Sequence, residues 1–317
     1  MKFALLTVSY SGLFYKGKAL SLEEQIRKAK ELGFDALSIE TKRPVASPLD
    51  LSKADRERIK AVAAEEGIAL CAIESMSNFA SRLMEDRENN LAMMRMVLEL
   101  ARDLGVDLVK VFAAWPGIIN DEEEIALYAP YEKGYYYKKL YPADLRKWHH
   151  AVNGIREVAA WAADMGITLA LQNHAPVLTP GYEDLLAMTQ EIDRNNVKLC
   201  LDVPLFQERQ SDEYIREAVQ KCAPYTVLSH FGAWNFSENS RGEVVQDPAP
   251  SFGGKTNYKT FLAELQRNDY SGYLVSECCL PVLRNHQIGG IEEVDYLTRI
   301  SLDYMKGLVR SFEPMPV

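Results

Sequence analysis

One short pattern recurs along the chain and limits the folds that it can adopt: an amphipathic segment, a glycine and then an apolar run. It appears as ELGFDALSIE, EEGIALCAIE, DLGVDLVKVF and DMGITLALQ, and RNNVKLCLD repeats it with Asn195 and Asn196 in place of glycine. Glycine readily adopts the left-handed conformation that ends a helix, so each copy predicts a helix followed at once by a strand. Apolar strands that alternate with helices are typical of a parallel sheet covered by helices.

Together with the other apolar runs of the chain, the pattern predicts eight strands, each followed by a helix. The predicted strands lie at about residues 2–8, 35–40, 69–74, 107–113, 167–172, 197–202, 225–231 and 272–277. Eight such units predict an α/β fold of the closed (β/α)8 or TIM-barrel type rather than an open sheet. No linker or low-complexity stretch divides the 317 residues, so we expect a single domain over 1–317.

Two of the predicted connections are long, namely residues 114–146 after the fourth strand and 232–256 after the seventh. Loops of this length inside a compact domain are often lids or binding loops. The first is rich in tyrosine, including Tyr136, and a tyrosine ring with its polar tip suits a sugar or an aromatic group. The alternative is a loop that packs on itself or on a partner subunit.

Charge and cysteine content narrow the class of protein. The formal net charge is -9, which argues against a nucleic-acid partner because phosphate binding needs a basic surface. No apolar run approaches the length of a membrane span, and MKFALLTVSYSG reads as a first strand rather than a signal peptide. The five cysteines lack CxxC spacing, which argues against a disulfide framework or structural zinc. We therefore expect a cytoplasmic enzyme that acts on a small molecule.

Four strands in the second half of the chain each end on a side chain that can bind a metal. They close on Gln172, Asp202, His230 and Glu277. In a parallel barrel these strand ends converge on one mouth, and their oxygen and nitrogen donors suit a divalent cation. The alternatives are structural: a helix cap for Asp202, an ion pair for Glu277, a hydrogen-bonded core histidine and a buried amide.

Other residues at the predicted mouth could transfer protons or bind substrate. His174 lies just beyond the fifth strand and could act as an acid or base near neutral pH, as could Glu277. The side chains at the ends of strands two and three either bind substrate hydroxyls or form ion pairs with residues such as Lys110 and Arg43. The candidate substrate-binding residues are Glu40, Glu74, Lys110, Trp115, Tyr136 and Trp234.

These motifs resemble the xylose isomerase-like TIM barrels, the superfamily of sugar phosphate isomerases and epimerases and of apurinic endonucleases. The resemblance runs from MKFALLTVSYSG to GYLVSECCL. In that family the ends of strands five to eight read LALENH, LCxDxxH, HxKD and GxxxxE, and their Glu, Asp, His and Glu bind a divalent metal. The resemblance implies that Gln172, Asp202, His230 and Glu277 hold the metal. It implies Mn2+ first, with Mg2+, Co2+, Fe2+ or Zn2+ as alternatives.

The chain departs from the family pattern at three positions. Gln172 replaces the first Glu, Leu205 replaces a His, and HFGA replaces HxKD. In the family the two Glu flank the substrate as acid and base, but a glutamine does not titrate. Either His174 supplies the missing base, or the reaction needs only one.

Three functions therefore stay open. The first is a metal-dependent sugar or keto-sugar isomerase or epimerase that works through a metal-stabilised enediolate. The second is a lyase of the same family, which eliminates from 3-keto glycosides or C-glycosides, or dehydrates or decarboxylates keto-sugar derivatives. The third is a non-catalytic barrel subunit. A homo-oligomer, or a hetero-oligomer in which a second subunit completes the site, is compatible with each of them.

Overall fold

Eight parallel strands pair side by side until the last strand pairs with the first. The computed structural model describes residues 1–81, 83–115, 117–119, 127–128, 145–174, 178–206, 208–232, 235–242, 244–247, 251–285 and 287–312. The barrel strands are β1 (Lys2–Leu6), β2 (Ala36–Glu40), β3 (Ala69–Glu74), β4 (Leu108–Val111), β5 (Thr168–Gln172), β6 (Val197–Cys200), β7 (Thr226–Gly232) and β8 (Tyr273–Glu277). Their order is β1-β8-β7-β6-β5-β4-β3-β2 in a closed ring, which confirms the predicted barrel.

A helix follows each barrel strand and covers the outside of the ring. The helices are α1 (Leu22–Leu32), α2 (Lys53–Glu66), α3 (Met84–Leu104), α4 (Leu145–Asp164), α5 (Tyr182–Ile192), α6 (Asp212–Cys222), α7 (Tyr258–Arg267) and α8 (Ile291–Ser311). Gly33 ends α1 with a φ of 86°, in the left-handed region, as the recurring pattern predicts. In the RNNVKLCLD copy the left-handed residue is Asp193, with a φ of 50°, rather than either asparagine. Aspartate tolerates this conformation better than most residues, so α5 ends two residues earlier than the pattern indicates.

The barrel interior is built in layers, because residues two apart in a strand point to the same side. The inner cluster includes Ala36, Ala72, Ala170, Cys200, Leu228 and Val275. Two residues further along each of these strands, towards the C-terminal end, the side chains are polar. Small apolar side chains therefore form the layer on which the polar side chains of the mouth rest.

The long connections lie where the sequence predicts them, after β4 and after β7. Their described parts contain short antiparallel pairs, Ile118–Ile119 with Leu127–Tyr128 and Asn235–Glu238 with Val244–Asp247. Tyr136 and Trp234 lie outside the described residues. Among the helices that are described, none combines the length and the apolar character that crossing a membrane requires.

Tyr10 ties the start of the chain to its last helix. It lies in the 3-10 turn after β1, is fully buried, and its hydroxyl donates to Asp295 Oδ1 of α8 at 2.6 Å. Lys28 of α1 also pairs with Asp295, at 3.1 Å.

We expect Tyr10→Phe to lower the free energy of unfolding by about 1–3 kcal/mol, because a buried hydrogen bond to a charged group is lost. Denaturant unfolding measures this, and Tyr296→Phe, at a position 58% exposed, is the matched control. Equal effects of the two substitutions would contradict the assignment.

Candidate active site

Three of the four predicted metal ligands contact one another inside the barrel. Gln172 ends β5, Asp202 follows β6 and His230 lies in β7, and each is at most 2% exposed. Gln172 Nε2 lies 2.5 Å from Asp202 Oδ2 and 3.1 Å from His230 Nδ1. His230 Nδ1 is 2.9 Å from Asp202 Oδ2. Fold closure therefore brings together side chains that are up to 58 residues apart in sequence.

The carboxylate of Asp202 is held by its neighbours in the barrel, whereas the cap of the next α-helix, α6, is Ser211. Asp202 Oδ1 accepts the backbone N–H of His230 at 2.6 Å. Asn173 fixes the backbone of Asp202 through both amide atoms, at 2.7 and 3.0 Å. Burial alone would raise the pKa of the Asp202 carboxyl, but the charge of His230 and the hydrogen bonds from His230 and Gln172 lower it. Sequence reasoning missed Asn173, although its place in the QNH segment at a strand end is a usable signal.

A fourth buried group reaches the cluster from the opposite side of the barrel. Glu74, at the end of β3, places Oε1 3.0 Å from His230 Nε2 and Oε2 3.4 Å from Lys110 Nζ. Glu74 thus forms the ion pair with Lys110 that was one of the two alternatives left open by the sequence, whereas Arg43 pairs with Asp50 at the surface. Burial opposes ionisation of Glu74, but the charges of His230 and Lys110 lower its pKa to about 2.

The carboxylates on either side of His230 change the pKa of its imidazole. Burial by itself would lower the pKa of His230, but the carboxylates of Asp202 and Glu74 raise it well above its usual value. The two carboxylates therefore favour the positively charged form of the buried imidazole when only protein groups surround it. A charge on His230 would balance one carboxylate, and Lys110 balances the other.

A pocket opens above this cluster at the barrel mouth. Of the predicted residues, Glu40, Glu74, Lys110, Trp115, Gln172, His174 and Glu277 line it. Trp115 stacks on Phe112 with ring centres 4.5 Å apart, and the ring of His174 meets both edge-on at 5.3 Å. The aromatic wall of the pocket, Phe112, Trp115 and His174, therefore stands beside its charged residues. Lys42 and Phe112 belong to this lining but were not anticipated from the sequence.

Glu277 lines the same pocket but makes no hydrogen bond or ion pair to the other three predicted ligands within the described part of the chain. Removal of its carboxyl group from water raises the pKa of Glu277. The positive charge of His230 lowers this pKa and the carboxylates of Asp202 and Glu74 raise it, and the result is a pKa of about 7. Both the acid and the carboxylate forms of Glu277 are therefore populated near neutral pH, as a proton-transfer group requires.

The donor set suits a divalent cation. Gln172 Oε1 is buried without a hydrogen-bond partner, although it lies beside two other donors. A half-turn of the amide would exchange Oε1 with Nε2 and so place an oxygen beside Asp202 Oδ2 and His230 Nδ1. Two of the three separations in this group, 2.9 and 3.1 Å, are near the edge of roughly 3.0 Å expected for an octahedron with bonds of about 2.1 Å. The third, 2.5 Å between Gln172 and Asp202, is shorter than that edge.

A thiol lies next to these donors. Cys200 Sγ is 3.4 Å from His230 Nδ1 and 3.5 Å from Asp202 Oδ1, and Cys200, Asp202 and His230 form a buried group that could hold a metal ion. The sequence predicts Cys200 as a core residue with the same inward direction as Asp202, and it does pack in the inner cluster. Burial and the charge of Asp202 raise the pKa of this thiol, which opposes the thiolate form that metals bind.

Comparison with known proteins identifies the family. The sequence pattern of the xylose isomerase-like TIM barrels matches residues 26–300. The chain belongs to this family. A search of curated proteins finds no sequence match.

Solved structures of this xylose isomerase-like barrel family share the fold over almost the whole chain. D-psicose 3-epimerase from Clostridium cellulolyticum H10 is 21% identical, with a TM-score of 0.69 over 98% of this chain and 99% of that one. The 3-keto-D-glucoside 4-epimerase of E. coli is 18% identical, with a TM-score of 0.67 over 97% and 99%. A xylose isomerase-like barrel from Mycobacterium smegmatis, solved with magnesium, is 19% identical, with a TM-score of 0.69 over 98% of each chain.

The neutral side chain at position 172 sets the charge of the candidate metal centre. We expect Gln172→Glu to tighten binding of Mn2+ or Mg2+ by roughly tenfold, because cation affinity rises with the number of charged ligands. It should also lower the thermal midpoint of the cation-free protein, since the new carboxylate lies against Asp202. Calorimetric titration and melting curves measure the two effects. Gln287→Glu, on an exposed hairpin, is the control, and unchanged cation affinity in Gln172→Glu would contradict the site.

Proposed function

We propose that this chain is a divalent-metal-dependent isomerase or epimerase of a sugar or keto-sugar, working through an enediolate. The observation that carries the proposal is the set of buried donors, Gln172, Asp202 and His230, directly beneath a pocket that Glu277 also lines. The family of the chain adds support, because proteins with the same fold include D-psicose 3-epimerase and 3-keto-D-glucoside 4-epimerase.

Each group has a role in this proposal. Gln172, Asp202 and His230 would hold the cation, with Glu277 as a fourth ligand or as the acid–base group, and Mn2+ is the first candidate. A bound divalent cation supplies Lewis acidity at the substrate carbonyl. Glu277 in its carboxylate form takes the proton from the carbon beside that carbonyl. In its acid form the same group returns a proton.

The second proton-transfer group decides between two reactions. An epimerase that inverts a centre needs an acid–base group on each face of the substrate, and Gln172 cannot titrate. His174 lines the pocket with its ring held against Phe112 and Trp115, so it is the candidate for the second face. If His174 does not act in this way, a single base at Glu277 supports enolisation followed by loss of a group. The neutral Gln172 is the observation that favours this lyase alternative.

The rest of the pocket suits a neutral polyhydroxylated substrate. Glu40 is 5% exposed. Its Oε1 pairs with Lys42 at 2.6 Å, and its Oε2 is buried without a hydrogen-bond partner. A substrate hydroxyl would satisfy that oxygen. Trp115 offers a flat apolar surface to a sugar ring. Each lysine that lines the pocket is paired with a glutamate, which leaves no surplus positive charge for a phosphate. Tyr136 and Trp234 stay candidate substrate-binding residues.

Deuterium exchange tests the proposal and separates its alternatives. The purified protein, with one divalent metal restored at a time, is incubated with a panel of keto-sugars and 3-keto glycosides in D2O and followed by NMR. Deuterium beside the carbonyl together with an isomeric sugar supports the isomerase or epimerase. Deuterium together with a cleaved or dehydrated product supports the lyase. The absence of both metal binding and deuterium exchange would favour a non-catalytic barrel subunit.

Glu277 gives the first prediction on activity. We expect Glu277→Gln to slow deuterium exchange by about 10²–10⁴-fold, the usual contribution of a positioned acid–base group. Metal affinity measured on the same variant separates its two proposed roles: an unchanged affinity identifies the base, and a lower one identifies a ligand. Glu292→Gln, exposed in the first turn of α8, is the control. Wild-type exchange in Glu277→Gln would exclude both roles.

Glu40 gives the second prediction on activity. We expect Glu40→Gln to raise KM for the sugar roughly tenfold with little change in kcat, because a hydrogen bond to a charged group contributes about 1.5 kcal/mol to binding. Steady-state kinetics on the substrate identified above measure this. Glu57→Gln removes a carboxylate from an exposed lysine–glutamate pair and serves as the matched control. An unchanged KM in Glu40→Gln would contradict the proposed hydroxyl contact.

A further inference from the structure

The two nitrogens of His230 face different groups. Nδ1 points to the predicted ligands, 2.9 Å from Asp202 Oδ2 and 3.1 Å from the amide of Gln172. Nε2 points across the barrel to Glu74 Oε1, at 3.0 Å. The ring is 2% exposed, so bulk solvent does not hydrogen-bond either nitrogen. One end of the imidazole therefore belongs to the candidate metal centre, and the other end belongs to Glu74.

A neutral imidazole binds a cation only through the nitrogen that carries no hydrogen. A carboxylate at the opposite nitrogen accepts the remaining N–H, selects that tautomer and increases the basicity of the ligand nitrogen. We propose that Glu74 is a positioning residue that keeps the proton of His230 on Nε2 and so presents Nδ1 to a divalent cation. This inference rests on the metal centre of the proposed function and adds to it a residue that lies outside the predicted ligand set.

Glu74 is itself held in one orientation. Ser38 Oγ donates to its Oε1 at 2.5 Å, and Lys110 Nζ lies 3.4 Å from its Oε2. Glu74 and Lys110 are register partners on β3 and β4, and Lys110 also sits 3.6 Å above the ring centre of Phe112. Both carboxylate oxygens therefore have buried partners, and these partners lie on three different strands, β2, β4 and β7.

A structural alternative exists for the same contacts. Glu74 could serve only as the counter-ion of Lys110, since a buried ammonium without a partner is strongly destabilising. The two roles predict different results when both charged groups are removed together. If Glu74 only balances charge, loss of Lys110 compensates for loss of Glu74. If it orients His230, the second substitution restores stability but does not restore cation binding.

The experiment compares cation affinity in wild type, Glu74→Gln and the double variant Glu74→Gln/Lys110→Met, by calorimetric titration with MnCl2 and MgCl2. We expect Glu74→Gln to bind about 10–100-fold more weakly, the usual effect of removing such a partner of a metal-binding histidine. A neutral amide is a poorer acceptor, and its NH2 group can turn towards Nε2 and favour the opposite tautomer. The double variant should recover thermal stability while its cation affinity stays low.

Glu264→Gln is the matched control for cation affinity. Glu264 on α7 is similarly buried and also pairs with a cationic side chain, that of Arg267, but it lies outside the pocket lining, and none of its described hydrogen bonds or ion pairs reaches His230. Wild-type cation affinity is expected in this control. Wild-type affinity in Glu74→Gln, or its recovery in the double variant, would overturn the positioning role. If the wild-type protein binds no divalent cation, the metal centre of the proposed function fails together with this inference.

A second measurement does not depend on any variant folding. In wild-type protein labelled with 15N-histidine and loaded with Mg2+, two-bond 1H–15N correlations distinguish the two tautomers of His230. We expect a proton on Nε2 and none on Nδ1. A proton on Nδ1 in the loaded protein would overturn the inference, whatever the titrations show.

Discussion

His230 and the two carboxylates that flank it form the interaction on which the mouth of the barrel depends. Asp202 lies at Nδ1 and Glu74 at Nε2, and the three side chains come from β3, β7 and the segment just after β6. Taking ionised groups out of water is costly unless they are paired and hydrogen-bonded. Here Lys110 balances one of the two carboxylates, and a charge on His230 would balance the other. The polar layer can therefore remain buried, and it closes the barrel interior above the small apolar side chains.

The same arrangement divides the site into parts with different chemistry. Donors that suit a cation lie at the bottom, and an aromatic wall and a titratable carboxyl, Glu277, lie above them in the pocket. In the proposed site Gln172 would stand as a ligand, but its amide carries no charge and cannot act as a base. The proposed choice between epimerase and lyase thus depends on a single side chain, together with the ability of His174 to act in its place. A metal centre with less negative charge binds its cation more weakly but leaves that cation a stronger Lewis acid.

Much of the architecture could be predicted from local signals. The helix–glycine–strand pattern and the other apolar runs predicted eight units, and all eight strands form the closed barrel. Periodicity placed Gln172, Asp202 and His230 at converging strand ends, and the structure brings them into contact. Local signals were weaker where a helix ended without glycine, because Asp193 can also adopt the left-handed conformation. For Glu74 the sequence left a choice between a substrate hydroxyl and an ion pair, since a strand end alone does not show what lies opposite.

By itself, the sequence determined the order of strands and helices, the class of fold and the residue types at the mouth, because these follow from short-range periodicity and from the conformations that single residues prefer. Only the tertiary structure decided which nitrogen of His230 faces Asp202, that Glu74 reaches across the barrel, and that Glu277 has a pKa of about 7. Such contacts depend on distances between side chains on different strands and on how far each charge is removed from water. Both quantities exist only once the barrel has closed.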